Sequence, residues 1–138
     1  MPSRSFVTKE MATLMGVLAH PQRILIVEEL RNRELDVNSL QAILEITHSR
    51  VSQHLSVLRS HRIVVERREG RSVFYRLVQP RMAKWMLEGF EFLAVEAYYG
   101  AEMREALDIT RRLWTTTEPA RGGAGVAIGN PRPQDQED

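Results

Sequence analysis

Between Thr47 and Arg81 the chain carries eight arginines, at positions 50, 59, 62, 67, 68, 71, 76 and 81, against only Glu66 and Glu69, a local balance of +6. The whole chain is almost neutral at +1. Its flanks lean acidic: residues 1–46 hold five Lys/Arg against six Asp/Glu, and residues 82–118 hold four against seven. Binding to phosphate follows local rather than total charge, so a compact basic block of this kind is the footprint of a nucleic-acid contact. A merely solvated charged surface has the same charge count, and the pattern inside the block separates the two. Ser49, Ser52, Gln53 and Ser56 lie at its start. Such short polar side chains both donate and accept hydrogen bonds, which is the chemistry of reading base edges. Arg50 adds a fork that pairs bidentately with guanine or holds a phosphate.

Other chemistries find little support. Cysteine is absent, which removes disulfides, thiolate metal sites and thiol redox sensing from this chain. The four histidines, His20, His48, His54 and His61, form no i, i+4 pair on one helix of the kind that binds zinc. His54 is expected to orient its helix or touch phosphate, and His20 to sit at a helix start. No nucleophile elbow, phosphate-cradling glycine loop or carboxylate pair in an apolar setting is visible, so no catalytic residue is assigned and no enzyme is expected. Glu28 and Glu29 read as a pair on a helix surface.

The elements that must position the basic block follow from periodicity. Met11, Leu14, Met15 and Leu18 recur on one helical face. Pro21 suits the first turn of a second helix, Gln22 to about Asn32, with Ile24, Val27 and Leu30 inward. Asn38 or Ser39 is expected to cap a short third helix whose inner face is Leu40, Ile43 and Leu44. A fourth helix starts at Thr47 or Ser49 and ends near His61, with Val51, Leu55 and Leu58 at i, i+4 and i+7. On that wheel Ser49, Gln53 and Ser56 lie opposite the apolar stripe, flanked by Arg50 and Ser52. Two short helices joined by a tight polar turn make a helix-turn-helix. From Ile63 to Val78 the β-branched and aromatic residues around Glu69-Gly70-Arg71-Ser72 predict a hairpin, a wing closed by Pro80.

After Pro80 a long helical stretch is expected to about Trp114. Its apolar positions include Met82, Met86, Leu93, Ala97 and Leu107, its aromatic cluster Trp85, Phe90, Phe92, Tyr98 and Tyr99, and its bends Gly89 and Gly100. It offers more apolar surface than so small a domain covers, which points to a dimer interface; the alternative is packing on its own domain. Residues 118–138 are rich in Gly and Pro and are expected to be a disordered tail. With 138 residues and 43% hydrophobic content, the chain supports about one core. No apolar run approaches the ~20 residues of a membrane span, and the N-terminus lacks the apolar core of a signal peptide. A cytoplasmic protein with no membrane partner is expected.

The run LAHPQRILIVEEL, followed by SRVSQHLSVLRSHRIV and RREGRSVFYRL, resembles the ArsR/SmtB family of winged-helix regulators over about residues 11–80. The resemblance implies a mainly α fold with a small β-hairpin. The winged helix-turn-helix would occupy 1–80 with its wing at 63–78, and extended C-terminal dimerisation helices 81–117. It implies a homodimer binding double-stranded DNA at an inverted-repeat operator as a transcriptional repressor, and releasing it when an effector binds. The family's base-reading positions match His48, Ser49, Ser52 and Gln53, and its phosphate or minor-groove contacts match Arg68 and Arg71. The departures concern sensing. Asp36 and Asn38 stand where the family's third-helix metal motif has thiolates, and no histidine follows His61 for its C-terminal metal site. No metal and no cofactor is therefore expected, and the effector is a small organic molecule, a protein, or absent. Arg62 replaces the glycine that many relatives carry after the recognition helix, which implies a strained or differently shaped turn there. The alternative function is a protein-interaction module on a winged helix that no longer reads DNA.

Overall fold

The computed structural model describes residues 3–93 and 100–115; Ala97, Tyr98, Tyr99 and the 118–138 tail lie outside them. The chain begins with α1 (Arg4–Leu18) and α2 (Pro21–Glu29). Pro21 opens α2 as its fixed φ favours, and the His20 Nδ1 accepts the Gln22 N–H at 3.1 Å, so His20 does sit at a helix start. The helix is shorter than the sequence pattern implied. Ile24 is half-buried, and Ile26 joins Val27 and Leu30 in the core instead.

Glu28 and Glu29 correct the surface reading, because both are buried. Glu29 is held by Arg33 at 2.6 Å. Glu28 lies against Trp114, and burial pushes its carboxyl above the ordinary carboxylate range although the indole beside it works the other way.

A two-residue strand, β1 (Leu35–Asp36), precedes α3 (Val37–Leu44). The cap of α3 is Asp36, whose carboxylate accepts the Ser39 N–H at 2.8 Å; neither Asn38 nor Ser39 fills that role. After α4 (His48–Ser60) come β2 (Val64–Glu69) and β3 (Ser72–Leu77), in register from Val64↔Leu77 to Glu69↔Ser72. The Val78 N–H reaches the Ile63 carbonyl at 3.0 Å and carries the pairing one step further. β1 adds to β3 through Leu35↔Tyr75 and Asp36↔Phe74, giving an antiparallel sheet in the order β1-β3-β2. The core gathers where the helices meet this sheet: Ile26, Val27, Leu35, Leu40, Val51, Leu55, Leu58 and Val64 are all but inaccessible.

The C-terminal region is not one continuous helix. It consists of α5 (Arg81–Gly89), a 3-10 turn (Phe90–Phe92) and α6 (Gly100–Thr115), and α6 opens at Gly100 with φ 70°. Gly89 is itself helical at φ −62°, so the chain leaves the helix beyond it, where Leu93 is extended. Part of the region packs on its own domain: Ala83, Leu107 and Trp114 are buried, and the Phe90 and Trp114 rings meet edge to face at 5.3 Å. Trp85, Phe92 and Leu93 remain exposed. Among the described residues no helix is long and apolar enough to cross a membrane.

Candidate nucleic-acid interface

The turn between α3 and α4 is short because Glu45 takes the left-handed conformation, φ 55°, and its N–H closes on the Gln41 carbonyl at 2.9 Å. Thr47 then caps α4, its Oγ1 accepting the Arg50 N–H at 3.2 Å. Val51, Leu55 and Leu58 anchor α4 from within. With that stripe fixed, 3.6-residue geometry sends Ser49, Arg50, Gln53 and Ser56 to the exposed side, while Ser52 is half-buried at its edge; His48, in line with the stripe, is exposed because it opens the helix.

The far end of α4 is closed by Arg62 in the left-handed conformation at φ 57°. The Arg62 N–H reaches the Arg59 carbonyl at 3.0 Å and the Ile63 N–H the Leu58 carbonyl at 2.9 Å. This is a Schellman cap, with an arginine where glycine is favoured.

In the wing, Gly70 stands first in a two-residue turn with φ 60°, the glycine-first pattern of a type II′ hairpin. Arg68 and Arg71 flank it, both exposed. The wing is fastened to the rest of the molecule through arginines. Arg67 donates to the buried Glu34 carboxylate at 3.1 and 2.9 Å and to Glu69 at 2.8 Å, and lies over the Phe74 ring at 5.0 Å. Those two carboxylates push the Arg67 guanidinium still further above its ordinary value, hydrogen bonding to Glu34 being the larger cause. Arg76 approaches the other Glu34 oxygen at 4.0 Å. Arg59 pairs with Glu66 at 3.0 Å, which ties α4 directly to β2.

The block of eight arginines therefore divides. Arg59, Arg67 and Arg76 hold the protein together, whereas Arg50, Arg62, Arg68, Arg71 and Arg81 are exposed and make no ion pair among the described residues. Sequence reasoning counted all eight alike and left Arg62 and Arg81 out of the candidate set. It also missed Glu34, which sets the wing from 33 positions away. Among the described residues no three His, Asp or Glu side chains gather as a metal site.

Comparison with known proteins fits this geometry. The family described as "Bacterial regulatory protein, arsR family" matches residues 20–65. The chain is 38% identical over 84 residues to the biofilm growth-associated repressor of Agrobacterium fabrum, covering 61% of this chain and 72% of that one. It is 41% identical over 69 residues to the transcriptional repressor SmtB homolog of Synechocystis, covering 50% and 52% respectively. Among solved structures, the transcriptional repressor BigR from Xylella fastidiosa superposes with a TM-score of 0.57 at 32% identity, over 67% of this chain and 97% of that one. NolR from Sinorhizobium fredii gives 0.59 at 28% identity, over 73% and 96%.

Proposed function

The chain belongs to the arsR family of bacterial regulatory proteins, and from that premise we propose that it is a dimeric, sequence-specific repressor that reads duplex DNA with α4 and the wing. The family is one of DNA-binding regulators rather than enzymes. The observation that carries the finer reading is the two-sidedness of α4: Val51, Leu55 and Leu58 are sealed in the core while Ser49, Gln53 and Ser56 face solvent beside unpaired arginines. Ser49, Ser52 and Gln53, with His48 and Arg50, contact base edges and the nearest phosphates; Arg68 and Arg71 hold the backbone from the wing.

Dimerisation rests on the apolar surface left outside the core. Phe6, Val7, Met11 and Met15 of α1 are exposed, as are Trp85 and Phe92, the last at 88%. Between α1, α2 and α5 runs an apolar cleft of about 510 Å³ lined by Met15, Leu18, Ile24, Met86 and Phe90. A second copy would cover these faces. Two-fold symmetry then requires an inverted-repeat operator whose half-sites lie about one helical turn apart or a multiple of it. The repressor acts in the cytoplasm, and its effector is something other than a thiol-bound metal, since this chain has no cysteine.

Binding isotherms on selected and scrambled duplexes at several salt concentrations test the reading. Gln53→Ala is expected to cost roughly 1–3 kcal/mol on the preferred site and to relax one base position per half-site, with little change on scrambled DNA. Arg71→Ala should weaken binding to every sequence and lower the salt slope by about one. If both variants match wild type in affinity, specificity and slope, this surface does not read DNA and the winged domain is a protein-interaction module.

A further inference from the structure

His54 stands one turn beyond Arg50 on α4, half-buried, and its ring meets that of His20 with centroids 4.4 Å apart and planes tilted by 51°. The contact joins the start of α2 to the recognition helix across 34 positions of sequence. The two imidazoles are not equivalent. The His20 Nδ1 accepts the Gln22 N–H at the cap of α2. His54 lies within α4 and caps no helix. Two arginines bear on it, Arg23 from α2, anchored through its Nε to the Val17 carbonyl, and Arg50 from α4 itself. Burial above all, and then His20, Arg23 and Arg50, hold the His54 imidazole below the ordinary histidine range. A ring surrounded by cations is poorly suited to a metal ion and well suited to an anion.

We propose that His54, held against His20 and under the influence of Arg23 and Arg50, takes up a proton when a DNA phosphate docks at this junction of α2 and α4, so that duplex affinity strengthens as pH falls. This rests on the DNA-binding reading above and adds a site to it. An arriving phosphate offsets Arg23 and Arg50 and gives an imidazolium a partner, which reverses the electrostatic pressure on the ring. The complex then holds more protons than the free protein. By linkage the association constant rises as pH falls, at most tenfold per pH unit for each half-site. Phosphate contacts carry no sequence information, so a duplex of mixed sequence is a sufficient probe.

The test is the dissociation constant of the full chain for such a duplex at fixed low salt between about pH 8 and about pH 6, the range in which a histidine changes charge. Wild type is expected to tighten as pH falls, His54→Gln to bind with a flat profile, and His54→Arg to bind tightly at every pH. The profile surviving in His54→Gln, or vanishing instead in His48→Gln, would overturn the proposal by assigning the proton to the exposed start of α4. The wild-type protein gives a second reading that no variant can spoil, the His54 ring-proton titration by NMR with and without duplex. Its midpoint should rise when DNA is added, and an unmoved midpoint sinks the proposal. Binding that is firm but independent of pH refutes only the proton uptake; no binding at any pH removes the DNA-reading function as well.

Discussion

From α3 through the wing the chain buries the apolar side chains that fix its shape: Leu40, Val51, Leu55, Leu58, Val64, Phe74 and Leu77 all lie inside. What this region exposes is mostly polar, with Ser49, Gln53 and Ser56 beside Arg50, Arg62, Arg68 and Arg71. In α1, α5 and the 3-10 turn the arrangement reverses, with Phe6, Val7, Met11, Met15, Trp85 and Phe92 facing out. The two surfaces are suited to different partners. Ridding water of an apolar face calls for another apolar face, whereas unpaired guanidinium groups over a polar helix call for an anion with hydrogen-bonding edges.

The largest expected effect tests this contrast directly. Leu55→Ala, at a site 1% exposed, should cost about 2–5 kcal/mol in chemical denaturation through lost burial and a cavity. Phe92→Ser should leave protomer stability within about 0.5 kcal/mol, as surface changes do, and instead shift the mass seen by light scattering from dimer towards monomer. If Phe92→Ser unfolds the chain and Leu55→Ala does not, the division into a closed and an open region is wrong.

A smaller effect separates the structural arginines from the unpaired ones. Glu34 is buried and its hydrogen bonds go to Arg67. Glu34→Gln keeps the shape but removes the charge, and should cost roughly 1–3 kcal/mol of stability. Arg67, no longer neutralised from within, should then raise the salt slope of DNA binding by about one. An unchanged slope would mean that Arg67 cannot reach phosphate even when released.

The recognition helix and hairpin were legible in the sequence because their signals are local. Val51, Leu55 and Leu58 repeat within two turns, and the strands of the wing lie on either side of one glycine. The outward side of α4 followed from the same periodicity. What escaped depended on distance. β1 is two residues long and has meaning only beside Tyr75 and Phe74. Glu28 looked like a surface residue because the helix that buries it begins at Gly100. The pairing of Arg67 and Arg76 depends on Glu34, and the His20–His54 contact on how α2 meets α4; no spacing rule encodes either. The cap at Arg62 is local as well, closed on Leu58 and Arg59, and its left-handed backbone is the strained form of the two that the missing glycine implied.

Arg62 also carries the smallest prediction, and it tests whether strain is kept for function. A left-handed conformation costs an L residue roughly 1–2 kcal/mol, while glycine adopts it freely but loses more entropy on folding. The net expectation for Arg62→Gly is a gain of about 0.5–1 kcal/mol in unfolding free energy, with Arg62→Asn smaller in the same direction, since asparagine tolerates this region. The same substitutions remove an exposed cation from the end of the recognition helix. If Arg62 touches phosphate, both variants should be more stable yet bind duplex DNA with a salt slope lower by about one. More stability with an unaltered slope would make Arg62 a tolerated imperfection of the cap. Less stability in Arg62→Gly would mean that the Schellman turn holds no strain, and that the side chain itself supports the junction between α4 and β2.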